Sequence, residues 1–175
     1  MAEESLSKKL VKVLSALLPD YKVSKNENIL YRIYIDENGE IKPKETKEPK
    51  RGQSAFQSDL LISDKVPLVA IEIKFDSLST HDILTYSTKA VKHKEIYPYL
   101  RYGLVVGNKE RISRKFFTHN TGFDFAFALT NISDDIGTLT EVIVKQIESA
   151  KSLIRIMSDN TVKTYESILT IKHNE

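Results

Sequence analysis

Three charged residues stand where charge is costly. Asp59 lies in QSDLLI at the head of an apolar run, and Glu72 and Lys74 interrupt the apolar segment VAIEIKF. Side chains alternate along an extended chain, so Glu72 and Lys74 share one face while Ile71, Ile73 and Phe75 occupy the other. Charges on a buried strand are unfavourable unless something binds them. If the two segments pair across the short turn at Asp64 and Lys65, Asp59 comes alongside Glu72, and two carboxylates and an ammonium converge. Neighbouring carboxylates repel until a hard cation lies between them, and Mg²⁺ suits such oxygens while keeping several waters. An ion held there polarises a phosphoryl oxygen and acidifies a coordinated water. Lys74 can orient that water, assist its deprotonation, or stabilise charge growing on phosphorus. The set therefore points to hydrolysis of a phosphodiester. The plain alternative is a surface salt bridge on an edge strand.

The surrounding pattern must place these residues. Leu6, Leu10, Val13, Leu14 and Leu17 predict a helix over Ser5–Leu18. ILYRIYI predicts a strand over Ile29–Ile35. Asp36–Ala55 alternates lysine and glutamate around Gly39, Pro43, Pro49 and Gly52, and reads as a long mobile loop or hairpin extension. Strands follow at Phe56–Ser63 and Pro67–Phe75. Ser79, with Asp82 three residues on, opens a helix that runs to about Tyr97 before Pro98. RYGLVVG, Arg101–Gly107, reads as a buried strand, and a strand-like segment lies between Phe116 and Leu129. Amphipathic helices are expected over Gly137–Met157 and Thr161–Ile171. In the first of these, Leu139, Val142, Ile143, Ile147, Ala150 and Ile154 form core or a subunit interface. No repeat or linker divides the 175 residues, so one α/β domain is expected.

A Glu-x-Lys tripeptide is cheap; its setting is not. The end of a buried strand, an Asp in the preceding strand, and a helix and strand afterwards together resemble the PD-(D/E)xK nuclease superfamily. That is the fold of many restriction endonucleases, resolvases and repair nucleases. The resemblance covers about residues 4–107. It implies a restriction-endonuclease-like core in the order helix-strand-strand-strand-helix-strand, with an extra C-terminal strand and helices. It gives metal-ligand roles to Asp59 and Glu72 and the water-activating role to Lys74, with Mg²⁺ as cofactor and Mn²⁺ as its substitute. The implied activity is hydrolysis of DNA by an endonuclease of restriction, repair or mobile-element defence type, leaving a 5′-phosphate; RNA stays open as a substrate. Ser58 stands where the name-giving motif has proline. Many members add an acid from the first helix, where Glu3 and Glu4 are the acids present and neither is assigned that role. Cutting both strands needs two sites, which a homodimer would supply. The alternative is a non-catalytic nucleic-acid-binding module that keeps the fold.

Charge is polarised along the chain although the net value is only +2. Lys89, Lys92, Lys94, Arg101, Lys109, Arg111, Arg114 and Lys115 face only Glu95 and Glu110 within residues 89–115, a balance of +6. Residues 116–150 balance to −4. Such a map suits a face laid on a polyanion, or a solvated surface. Tyr86, Lys89, Lys92, Lys94 and Arg101, with Lys50 and Arg51 in the loop, are the candidate nucleic-acid contacts. Gln57 shares the face of Asp59 and can hydrogen-bond a metal-bound water or a phosphate, or simply end the strand. His81, His93, His119 and His173 have no metal-ligand spacing, and His119-Asn120 lacks the pattern of a His-based nuclease. Nucleotide-binding loops, serine-hydrolase elbows and dinucleotide fingerprints are absent from the sequence. Without cysteine, thiolate metal sites and disulfides are excluded, and a cytoplasmic location is expected with no membrane partner.

Overall fold

Leucines at helical spacing bury one stripe of α1 (Ala2–Leu17), where Leu6, Leu10 and Leu14 are buried. The chain then enters β1 (Lys22–Leu30), a small hairpin of β2 (Tyr34–Ile35) and β3 (Ile41–Lys42), β4 (Ala55–Ser63) and β5 (Pro67–Phe75). α2 (Thr80–Ile96), β6 (Arg101–Gly107), α3 (Arg114–His119), β7 (Phe125–Leu129) and α4 (Ile132–Ser158) complete the order. This computed structural model describes residues 2–44, 46, 47, 49, 50, 52–158 and 162–172. Among them the architecture is α/β, with four helices around a five-stranded sheet in the order β1-β4-β5-β6-β7. β4 runs antiparallel to both β1 and β5, whereas β5, β6 and β7 are parallel.

β5 is the centre of the sheet, and its alternation divides the core. Ile71 and Ile73 join α1 and α4 residues such as Leu10, Leu14, Leu139 and Ile143 on one face. Ala70 joins Ile83 and Ala90 of α2 and Phe116 of α3 on the other. The apolar stripe of α4 is therefore core: Leu139, Ile143, Ile147 and Ala150 are buried against the sheet. No helix among the described residues is long and apolar enough to cross a membrane.

Three expectations need correction. The first strand is Lys22–Leu30 rather than Ile29–Ile35. As an edge strand it draws its order from the ladder to β4 and tolerates polar residues that hide it from an apolar pattern. The Asp36–Ala55 segment, read as a loop or hairpin extension, does carry a hairpin: it contains the second strand of β2–β3, tightened by Asp36 Oδ1, which accepts from the Asn38 and Glu40 amides at 2.9 Å each. The stretch from Phe116 to Leu129 is extended only from Phe125 onward. Asn120 Oδ1 accepts from the Gly122 and Phe123 amides and forces a turn after α3. Finally, residues 162–172 carry no helix, Thr161 lying outside the described residues. Tyr165, Ile168 and Leu169 are more than three-quarters exposed, so this apolar stripe has no surface to pack against, and short helices depend on one.

α2 begins as its sequence announces, with Ser79 and Asp82 forming a reciprocal capping box. Its inner face is pinned by His93, fully buried, with Nδ1 2.9 Å from the Leu30 carbonyl and the ring stacked on Tyr102. Burial pulls His93 down from 6.5 to about 4. The unfolded chain therefore binds more protons between those values, so stability present above pH 6.5 is lost as the pH falls toward 4, by up to about 3 kcal/mol. Urea titrations at pH 7 and pH 4.5 should show that loss, and His93→Gln should shrink it; an unchanged difference in the variant would assign the acid sensitivity elsewhere.

Candidate active site

Asp59 occupies an unusual place in the sheet. The β4–β5 ladder ends at Leu60 opposite Ile71. The β1–β4 ladder skips the position facing Asp59, where Asn26 takes a left-handed φ of 57°. The strands open beyond this point, and the Asp59 carboxylate fills part of the gap: Oδ2 accepts from the Ile73 amide at 2.7 Å. Asp59 thus reaches across to β5 between Glu72 and Lys74.

Glu72 is 1% exposed in the centre of the sheet. Its Oε1 accepts from Lys89 Nζ at 2.6 Å and from the Tyr102 hydroxyl at 2.5 Å. Desolvation raises the Glu72 pKa; the Lys89 charge opposes that shift and the Asp59 charge adds to it. Tyr102, also buried, is raised well above its ordinary value by desolvation and by Glu72, so it stays a donor. Lys89 bridges further, donating to the Gln57 carbonyl at 2.9 Å.

Lys74 shares the Glu72 face but its ammonium is directed to two other acids. Glu3 of α1 and Asp82 of α2 each lie 3.5 Å away, and the Tyr86 ring lies between Lys74 and Lys89 at 5.3 and 5.2 Å. Burial works against the charge on Lys74, but the Tyr86 phenol, Glu3 and Asp82 outweigh it and raise its pKa. The cluster therefore alternates sign across four elements, α1, β4, β5 and α2: Asp59 and Glu72, Lys89 and Lys74, then Glu3 and Asp82.

No protein-family model matches the chain, and no curated protein matches it. The site must be judged on its own chemistry. Among the described residues no group of three or more His, Cys, Asp or Glu is placed to hold a metal ion. The donor set is a carboxylate pair. Lys89 and Tyr102 take Glu72 Oε1 and the Ile73 amide takes Asp59 Oδ2, which leaves Glu72 Oε2 and Asp59 Oδ1 without a donor among the described residues. Two carboxylate oxygens with water completing the shell fit the preference of Mg²⁺. The pair carries two negative charges and Lys89 supplies one positive charge, so a cation would still be attracted.

The other candidates are distributed differently from the sequence pattern. Gln57 is exposed and its amide is tied to the Asn26 carbonyl at 2.8 Å, so its side chain braces the edge strand. Tyr86 and Lys89 belong to the cluster itself. Lys92 is paired with Glu95 on the exposed face of α2. Lys94 and Arg101 both bind Asp124, which joins the basic segment to the acidic one internally. Lys50 lines a separate cleft of about 470 Å³ with Tyr34, Lys42 and Lys44 beside the β2–β3 hairpin. Arg51 lies outside the described residues, as does His173. Tyr102 and Asp82 escaped sequence reasoning as site residues, because a Tyr in a buried strand reads as core and an Asp at the third helical position reads as a cap.

Removing one partner of a buried ion pair strands the other. Lys89→Met should cost about 3 kcal/mol of stability, and adding Glu72→Gln should recover most of it. Chemical denaturation of the two single variants and the double variant measures that coupling; additive losses would show that Lys89 and Glu72 do not act as a pair.

Proposed function

We propose that this chain is a metal-dependent nuclease of the PD-(D/E)xK type that hydrolyses DNA phosphodiesters. The observation that carries the reading is the meeting of Asp59 and Glu72 from two antiparallel strands where their ladder opens, with Lys74 on the same face. The element order around them supports it, since α1, β1, β4, β5, α2 and β6 follow the helix-strand-strand-strand-helix-strand sequence of that superfamily.

In this reading Asp59 and Glu72 would hold Mg²⁺, which would polarise the scissile phosphoryl group and acidify a bound water. The protein's own residues prepare the rest. The Ile73 amide and the Lys89–Tyr102 pair each fix one oxygen of a carboxylate and leave the other without a donor among the described residues. Lys74, held as an ammonium between Glu3 and Asp82, offers its charge to the attacking water and to the phosphorane oxygens. The water oxygen bonds to phosphorus and gives up a proton to solvent, the bond from phosphorus to the leaving ribose oxygen breaks, and that oxygen takes up a proton from solvent. Cutting both strands of a duplex requires a second copy of the site, which a homodimer provides.

A specific feature favours a second reading. The charge of Glu72 is already paired with Lys89, and Tyr102 donates to the same Oε1, so the charge is balanced without an ion. A nucleic-acid-binding module that no longer cuts would have the same contacts.

Plasmid, linear duplex, single-stranded and branched DNA, incubated with Mg²⁺ or Mn²⁺, separate the two. Cutting that requires metal and falls at least about 100-fold in Lys74→Ala and Asp59→Asn is the expected result. DNA binding with no cutting on any substrate would leave the binding module as the reading.

A further inference from the structure

Once internal pairs are removed from the basic segment, its charge is no longer spread along 89–115. Lys89, Lys92, Lys94 and Arg101 all have carboxylate partners. Lys109, Arg111, Arg114 and Lys115 are exposed and have none among the described residues, with Glu110 as the only acid in that run. The unspent charge sits in a single loop and the first turn of α3.

That loop lies at the carboxyl ends of the parallel strands β5 and β6, the edge at which open α/β sheets bind ligands. A pocket of about 260 Å³ opens there, with Lys109, Arg111 and Lys115 on its rim, Ser77 and Ser113 as hydroxyl donors, and Asp76 as its acid. The Asp76 carboxylate is engaged by the Asn108 side-chain amide, and the Asp76 amide bonds the Gly107 carbonyl. Asp76 and Asn108 both adopt left-handed φ, 63° and 57°, which turns the two strand ends side by side and frames the pocket. Asp76 follows Lys74 by two residues, so the pocket opens just past the end of the strand that carries Glu72 and Lys74.

We propose that this pocket is a phosphate-binding subsite that holds a backbone phosphate of the polynucleotide next to the one being cleaved. The inference rests on the nuclease reading and adds where the substrate runs. The lining suits a phosphate on a chain rather than a free nucleotide. It holds cations and hydroxyls but no aromatic ring on which a base could stack. It is also smaller than the roughly 300–1,000 Å³ of pockets that enclose whole small molecules. Contacts of this kind set register on the strand without reading sequence.

The test is fluorescence anisotropy of a labelled duplex against wild-type protein, the triple variant Lys109→Ala/Arg111→Ala/Lys115→Ala, the single variant Lys115→Glu, and Lys145→Ala as a surface-charge control. Titrations run in Ca²⁺ at several salt concentrations and again with millimolar inorganic phosphate, with parallel cleavage assays in Mg²⁺. Matching thermal midpoints establish that the variants fold. Three lost phosphate contacts should weaken binding at least tenfold and flatten the slope of log K against log salt by about 2 to 3. Lys115→Glu should weaken it several-fold, and Lys145→Ala should match wild type. If the triple variant binds and cuts like wild type, the subsite is wrong while the nuclease reading stands. If the triple variant loses binding but no protein cuts, the pocket holds a polynucleotide phosphate, and the nuclease reading and the place beside a scissile phosphate both fail. Wild-type protein that binds inorganic phosphate at the pocket but not DNA, or binds neither, overturns the subsite.

Discussion

Placing the Glu72 carboxylate in the central strand imposes a cost that the neighbouring structure is arranged to offset. An isolated carboxylate at 1% exposure would neutralise itself or unfold the sheet around it. Lys89 approaches from α2 and Tyr102 from β6, so the charge is met by two donors on separate elements. This requires α2 to lie at a fixed height over the sheet. The capping box at Ser79 fixes where the helix starts, and His93 anchors it to the Leu30 carbonyl one turn after Lys89. Helix, sheet and site are thus set by one electrostatic requirement.

Asp59 shows the complementary constraint. A residue whose side chain must reach a neighbouring strand cannot also sit in a closed ladder. The chain opens both ladders at this position, by ending the β5 pairing at Leu60 and by giving Asn26 a left-handed backbone. The Ile73 amide freed by that opening is returned to a partner through the carboxylate. A sheet defect and a candidate ligand residue occupy the same place.

Much of this was legible in the residues because it obeys short-range rules. The charge pattern of VAIEIKF, the Ser79–Asp82 box and the Pro98 stop each depend on neighbours in sequence, and β5, α2 and β6 lie where those signals place them. β1 was hidden because an edge strand can be polar on both faces and takes its order from β4. The fate of the basic segment was also hidden. Whether Lys94 and Arg101 face a ligand depends on Asp124, more than twenty residues away in the chain. Lys89 reads as one more exposed helical lysine until the sheet places Glu72 beneath it. Long-range pairing decides which charges remain for a partner, and composition cannot supply that.

The central claim is that Asp59 and Glu72 hold a divalent cation, and paramagnetic NMR addresses it most directly. Substoichiometric Mn²⁺ added to ¹⁵N-labelled protein should broaden the amide signals of Ile73 and its neighbours first, because the Ile73 amide donates to an oxygen of Asp59. The same titration on Asp59→Asn should leave those signals sharp. Broadening confined to other acidic surfaces, such as Asp134 and Asp135, or equal broadening at Ile73 in the variant, would contradict the account.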